Sequence, residues 1–475
     1  MSYIKGINRN QSILFPEMVD DYIEDDNPIR FIDAFVDNLN LVEMGFKNAI
    51  ENETGRPPYH PGDLLKLYIY GYIYSIRSSR KLEKETHRNI EVLWLLRKLR
   101  PDFKTLADFR KNNRKAIRKV CREFILLCKK WDLFGRELIA IDGSKFRAVN
   151  SINRNYTVNS TKKRITRIDK KIEEYLNQCD KEDENENSSK YIDKEQLEKR
   201  IQDLKERRNR YQEVLDELEK DNKKQISITD KDSRIMPTSK GMQVSYNVQI
   251  AVDDKNKLIV AEDVTNEPVD MNNLSGIAFS AKDNIGAEEI TAVTDMGYYN
   301  GSEVKKCLEH GITPYIDKPN CSANVKLGLF SKDKFKYDKE KDCYICPAGK
   351  RLIYRFDRVE SGRHIRYYVS YACKDCSLKV RCTRNKYCRR ITRWIDEDIL
   401  DEMQERIYKN PELIKRRKSI VEHPFGTMKR WKDQGYFLMK GLEKVKAEFS
   451  LSVLAYNMTR VINIIGVKQM INALA

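Results

Sequence analysis

The stretch "LIAIDGSKF", residues 138–146, sets an aspartate at the end of an apolar run. Leu138, Ile139, Ala140 and Ile141 have the composition of a short buried strand, with Asp142-Gly143 as its stop. Asp-Gly reads as a hairpin turn, or as a strand end that holds one carboxylate rigidly at the edge of a site. A hard cation binds at such an edge only if other carboxylates converge on it. "ITAVTDMGYYN" (290–300) repeats the arrangement: apolar residues, then Asp295, then a glycine turn. Taken singly, each aspartate is commonly a turn or cap residue. On neighbouring strands the two would repel and raise one pKa, so the pair calls for a divalent cation between them.

A third acid must come from another element. In "IKRRKSIVEHPFGTMKRWK" (414–432), Ile414, Val421 and Met428 recur at seven-residue steps and mark a buried helical stripe with Glu422 at its edge. Lys429 lies seven residues beyond Glu422, two turns along the same face, so the glutamate can face metal ions while the lysine holds DNA beside them. Pro424 inside this pattern removes a helical hydrogen bond and bends the axis.

The whole chain bounds these readings. At 475 residues it is long enough for two or more domains. No apolar run approaches the roughly 20 residues of a membrane span, and "MSYIKGINRN" lacks a signal-peptide core, so a cytoplasmic location is expected. The formal charge of +17 points to a polyanion. Basic clusters recur in "RKNNRKAIRKVCR" (110–122), "KERRNR" (205–210) and "KRRK" (415–418). No lipidation motif or apolar amphipathic segment accompanies the charge, which argues against membrane attachment.

Along the chain, residues 28 to 131 read as helical. Leu64 to Tyr72 form one apolar block, and Ser78 and Ser79 are N-cap candidates for a charged second helix. That pair is a DNA-reading helix-turn-helix or plain bundle packing. Pro101 and "TLAD" (105–108) mark the start of a basic helix from about 106 to 131. Residues 161 to 225 carry a narrow apolar seam, Ile165, Ile168, Ile172, Leu176, then Leu197, Ile201, Leu204, Tyr211, Leu215 and Leu218, as in an antiparallel coiled-coil hairpin around the loop "CDKEDENENSSK" (179–190). Strands follow at 244–253 and 257–265, joined by an Asp253-Asp254-Lys-Asn turn. Then come a helix from Asp270 to about 284, a strand at 288–295, a helix at 302–310 and a strand at 313–316. Helices return at 395–432 and 442–465. Asp263 and Asp270 are further acids beside this layer, Asp270 being more simply the N-cap before "MNNL".

Six of the eleven cysteines lie between 343 and 388, which favours metal over a disulfide framework. Cys343-x2-Cys346 and Cys373-x2-Cys376 are knuckle-like pairs suited to tetrahedral structural Zn2+, with Cys382 as an alternative ligand and Cys388 surplus.

In order and setting, Asp142, Asp295, Glu422 and Lys429 resemble the acids and lysine of DDE transposases of bacterial insertion sequences. "GRPPYHPGDLLKLYIYGYIYSIRSSRKLE" (55–83) with "LRPDFKTLADFRKNN" (99–113) resembles that family's N-terminal helical domain. "IDGSKFRAVNS", "TDMGYYNG" and "VEHPFGTMKR" resemble its acid-bearing motifs, and "CPAGKRL" with "CKDCSLKVRCT" its cysteine-rich insertion. One departure stands out: the family's tyrosine and arginine ahead of the glutamate fall at Lys415 and Lys418, with Arg416 and Arg417 adjacent.

The resemblance implies an α/β, ribonuclease-H-like core of the retroviral-integrase superfamily. That core would be 138–160 plus 226–320 plus 391–475, after an N-terminal all-α domain over 1–137. A coiled-coil hairpin insertion would occupy 161–225 and a cysteine-rich insertion 321–390. It implies that Asp142, Asp295 and Glu422 hold two Mg2+ or Mn2+ ions, and that Lys429, Arg416, Arg417 and Lys418 contact DNA. The partners implied are double-stranded DNA, as terminal inverted repeats and target, and a second copy of the chain on that DNA, in a bacterial nucleoid. A non-catalytic DNA-binding derivative and a metal-dependent nuclease of the same fold are the alternatives.

Overall fold

A computed structural model describes residues 18–50, 57–183, 194–222, 224–319 and 323–474. Its central sheet has six strands, β1 (Leu138–Arg147), β4 (Arg234–Thr238), β5 (Gly241–Asp253), β6 (Ile259–Thr265), β7 (Ile290–Thr294) and β8 (Ile312–Ile316). β5 is antiparallel to both of its neighbours, β6 and β1, whereas β1, β7 and β8 are parallel. Helices Leu274–Ile285 and Gly301–Glu309 connect β6 to β7 and β7 to β8. β4 adds to the other end of the long β5. Order and directions are those of a ribonuclease-H-like layer, and the strands expected at 244–253, 257–265, 288–295 and 313–316 are all present.

β1 departs from its expected end at Asp142-Gly143. The strand runs on to Arg147, because β5 pairs with it from Ile139 to Arg147, so Asp-Gly is strand interior and not a turn. The parallel partner β7 matches only Leu138, Ile139 and Ala140. Asp142 therefore lies where β1 keeps one neighbour and has lost the other.

The hydrophobic core is continuous from the N-terminal helices to the C-terminal one. Helix Leu442–Ile465, expected at 442–465, is buried along most of its length and packs on β6 and on helices Pro61–Ile73 and Arg114–Lys130. The helices ahead of residue 137 thus share the core of the sheet, and 137 marks no break in it. Helix Pro61–Ile73 is buried from Pro61 to Tyr72, which leaves the second helix, Ser79–Arg88, to present Arg80, Lys81, Lys84 and Arg88 to solvent. The basic helix expected from about 106 begins earlier. Asp102, not Thr105, caps it by accepting from the Thr105 N–H at 2.8 Å, and a break at Asn113 divides it into Phe103–Asn112 and Arg114–Lys130.

Outside this core, helices Val158–Asp183 and Lys194–Lys220 pair with each other, framed by the short strands β2 (Asn155–Tyr156) and β3 (Ile226–Ser227). Ion pairs Lys162–Glu219 and Arg208–Asp169 fix the two helices as antiparallel. The first helix continues to Asp183 into the expected loop, and the rest of that loop lies outside the described residues. Strands β9 (Lys336–Asp338), β10 (Cys343–Ile345), β11 (Arg351–Glu360), β12 (Arg363–Val369) and β13 (Arg390–Trp394) make a separate antiparallel sheet with a small core of Phe335, Tyr344, Leu352, Tyr368 and Ile391.

Phe146 ties β1 to the C-terminal elements. It is 1% exposed and meets the rings of Phe425, Phe437 and Phe449 at centroid distances of 6.3, 5.8 and 5.6 Å. Phe146→Ala should lower the unfolding free energy by about 3–5 kcal/mol, the cost of emptying an aromatic site in a packed core. Urea titration followed by circular dichroism measures it, and a loss below about 1 kcal/mol would contradict this packing role.

Candidate active site

The register of β1 on β7 sets the first two acids. Leu138 pairs with Thr291 and Ala140 with Val293, so continuing the same offset brings Asp142 level with Asp295. Asp295 begins the turn after β7, where its carboxylate accepts the Gly297 N–H at 2.8 Å, while Asp142 accepts that of Gly143 at 2.8 Å. Burial pushes the Asp142 carboxyl up to about 6, the Arg417 guanidinium opposes this, and the charges of Asp295 and Asp270 add to it. The structure thus brings Asp142 and Asp295 together as interacting carboxylates.

Glu422 is not brought into contact with them. It is exposed on helix Pro411–Gly426 and makes no hydrogen bond or ion pair among the described residues. The residue of that helix that meets Asp142 is Arg417, with Nη1 3.4 Å from Asp142 Oδ2. Five residues separate Arg417 from Glu422, which turns the glutamate about 140° away around the helix.

The expected alignment of Glu422 with Lys429 also changes. Beyond Pro424 and Gly426 the helix widens, and residues Thr427–Trp431 form a π-helical turn, so a seven-residue step no longer returns to the same face. Lys429 turns in towards β1, where its Nζ donates to Ser144 Oγ at 2.5 Å and to the Lys145 carbonyl at 3.0 Å and lies 4.7 Å from the Phe146 ring centre. Burial pushes its pKa down to about 8, opposed by Asp142. Of the other cations expected to hold DNA, Arg416 pairs with Asp254, Arg417 with Asp142, and Lys418 is exposed.

Sequence reasoning missed the far side of this site. Alternation along β1 puts Gly143 and Lys145 on the face opposite Asp142 and Ser144. There Asp270 Oδ1 accepts from Asn247 Nδ2 at 2.6 Å, Gln249 Nε2 at 2.8 Å and Lys145 Nζ at 3.3 Å. Asp270 is not the expected N-cap: helix Leu274–Ile285 starts four residues later, at the Asn273 cap. The signal was present in "SYNVQIAVD", where Ser245, Asn247 and Gln249 put polar groups at every second position of an otherwise apolar strand. Asp263, the other further acid, is held by Lys446 at 2.7 Å.

Beside Gly143 and Ser144 opens a groove of about 890 Å3 whose walls include Lys145, Arg147, Lys240 and Arg430, a surface suited to phosphates. In the small sheet, Cys346, Cys373, Cys376 and Cys382 line one cavity of about 20 Å3. Burial and then Arg389, acting in opposite directions, are the main influences on the Cys382 thiol, followed by the other three cysteines. Cys343 is buried in β10 and, like Cys388, does not line the cavity. Among the described residues, no three Asp, Glu, His or Cys side chains form a group ready to hold a metal ion as they stand.

The chain thus presents a ribonuclease-H-like sheet with two carboxylates level at the end of its parallel strands. Comparison with known proteins agrees. Residues 17–112 match the family "Transposase domain (DUF772)" and residues 345–462 match "Transposase DDE domain", a stretch that contains Glu422 and Lys429. Both matches are to transposase families, a class that acts on DNA in transposition and generally uses divalent metal ions. No curated protein matches it. Among solved structures it is similar to a piggyBac transposase in a synaptic complex with hairpin DNA, at 9% identity and a TM-score of 0.33, over 94% of this chain and 79% of that one. Among the described residues no helix is long and apolar enough to cross a membrane.

The raised Asp142 carboxyl predicts a pH signature of the metal-free protein. Its ordinary value is 3.8 and its folded value about 6, so the native state binds the extra proton. That contribution to stability is complete below about pH 4 and lost as pH rises through about 6. Wild type should match Asp142→Asn near pH 4 and be the less stable of the two above pH 6, by about 2 kcal/mol after screening. Thermal unfolding across this range, with chelator present, checks it, and a difference that does not change with pH would contradict it.

Proposed function

We propose that this chain cuts the ends of a mobile DNA element and joins the freed 3′-hydroxyl to target DNA. The observation that carries the reading is the pair Asp142 and Asp295, level with each other at the point where β1 has lost its parallel neighbour. Their fit to divalent cations rests on the same observation. Two oxygen-donor side chains share one edge, and burial together with mutual repulsion drives Asp142 towards its neutral form. Asp142 and Asp295 would hold Mg2+ or Mn2+, hard ions that favour carboxylates. Such ions, when bound there, would supply activation of the attacking oxygen and stabilisation of the leaving one.

The chain's own residues do the rest. Arg417 neutralises Asp142, and its guanidinium would equally suit a phosphate oxygen of the DNA. Glu422 is the third acid in this reading, which requires the 411–426 helix to rotate or shift so that the glutamate replaces Arg417 at the carboxylate pair. Lys429, tied to Ser144 and Lys145, fixes the end of that helix on β1. Lys145, Arg147, Lys240 and Arg430 line the groove that would take the DNA backbone. Joining two element ends requires two copies of the chain on the DNA.

Asp295→Asn should abolish both cleavage and strand transfer while binding of the element ends stays within about threefold of wild type. A gel assay on paired ends also separates the alternatives: a DNA-binding derivative does nothing, a nuclease only cuts, and a transposase joins. Full activity of Asp295→Asn would remove this residue from the chemistry.

The cavity lined by Cys346, Cys373, Cys376 and Cys382 supports a structural Zn2+ in the small sheet, remote from the chemistry. Elemental analysis should find one zinc per chain, retained in Cys343→Ser and lost in Cys382→Ser. The opposite pattern would restore Cys343 to the ligand set, and metal-free wild type would exclude the ion.

A further inference from the structure

Asp270 lies at the centre of a network that joins the two acid-bearing segments from behind. Its Oδ1 accepts from Lys145, three residues after Asp142 on β1, and from Asn247 and Gln249 on β5. Gln249 Oε1 in turn accepts the hydroxyl of Tyr298, three residues after Asp295. Tyr298 is fully buried, and burial first and then the charges of Asp270, Asp142 and Asp295 hold its hydroxyl in the protonated form, a donor. One chain of contacts therefore runs from the turn after Asp295, through Gln249 and Asp270, to Lys145 on the strand of Asp142. It crosses the gap that opens where β1 and β7 stop pairing, at Ala140 and Val293.

Gly143 makes this approach feasible. A Cβ there would come within 2.5 Å of Gln249 Nε2 and 2.6 Å of Asp270 Oδ1, closer than any contact a methyl group tolerates. The glycine after Asp142 is thus needed for close packing and not for an unusual backbone angle. Asp270 Oδ1 accepts from three donors on two strands at once, which makes it the point where the network is held together.

We infer that Asp270 is a positioning residue for the transposition chemistry: acting through Lys145 on one side and Gln249 and Tyr298 on the other, it sets the separation of Asp142 and Asp295. It acts on the pair through these contacts, from the face of β1 opposite Asp142. The inference rests on the reading of Asp142 and Asp295 as the metal-holding pair. It adds a fourth acid whose contribution is geometric: without the clamp, the two carboxylates are fixed by β1 and the turn after β7 separately. Metal affinity then falls because the pair must be brought to its spacing when the ion binds.

The test is Mn2+ binding to the full chain without DNA, by calorimetry, for wild type, Asp270→Ala, Asp270→Asn, Tyr298→Phe and the Asp270→Ala/Tyr298→Phe double variant. Asp270→Ala should weaken Mn2+ about tenfold or more, in the range seen when groups that orient metal ligands are removed. Asp270→Asn, which keeps the acceptor oxygen, should recover part of that loss. The double variant should bind no more weakly than Asp270→Ala, because both changes break one network. Tyr298→Phe removes only a hydroxyl and carries the test should Asp270→Ala fail to fold. Wild-type affinity in Asp270→Ala, or additive losses in the double variant, would overturn the positioning role alone. Failure of wild type to bind Mn2+ would overturn the metal reading of Asp142 and Asp295 and the positioning role with it.

Discussion

The structure depends on a mismatch in how far two neighbours accompany β1. β5 follows it from Ile139 to Arg147, whereas β7 leaves after Ala140. Up to that point β1 is an interior strand with its backbone groups paired on both sides, and beyond it one edge opens. A carboxylate placed there is anchored by a rigid strand yet borders open space, the combination a metal ligand or catalytic acid requires. The parallel register then brings the second carboxylate level with the first. That alignment along the strands follows from backbone pairing.

Concentrating acids at that edge has an electrostatic cost, and the surrounding elements answer it with cations. Arg417 meets Asp142 on one face of the sheet, and Lys145 meets Asp270 on the other. Lys429, in the π-helical turn after Pro411–Gly426, is packed over Phe146 and bonded to β1. Helix and sheet are thus held by a cation whose charge is itself disfavoured by burial.

Much of this was legible locally. The apolar runs ahead of Asp142 and Asp295, the alternation of 244–253, the Asp253-Asp254-Lys-Asn turn and the long apolar helix at 442–465 were read from pattern, and each element is present. The failures share one origin. Asp142-Gly143 has the composition of a turn, but pairing with β5 extends the strand through it. Asp270 has the position of a helix cap, but Lys145, Asn247 and Gln249 claim its oxygen instead. Glu422 and Lys429 share a face on an ideal helix, but the chain after Pro424 and Gly426 is not ideal.

The sequence by itself determined which segments are strands and helices, the basic charge, and the presence of acids at strand ends, because burial preference and periodicity are properties of a few consecutive residues. Only the tertiary structure decided which carboxylates meet, that Arg417 pairs with Asp142, that four of the cysteines share a cavity, and that Asp270 links both acid-bearing segments. These depend on strand register, on the rotation of a helix about its axis and on contacts between residues more than a hundred positions apart, quantities that the packing of the whole chain sets and no short window of sequence contains.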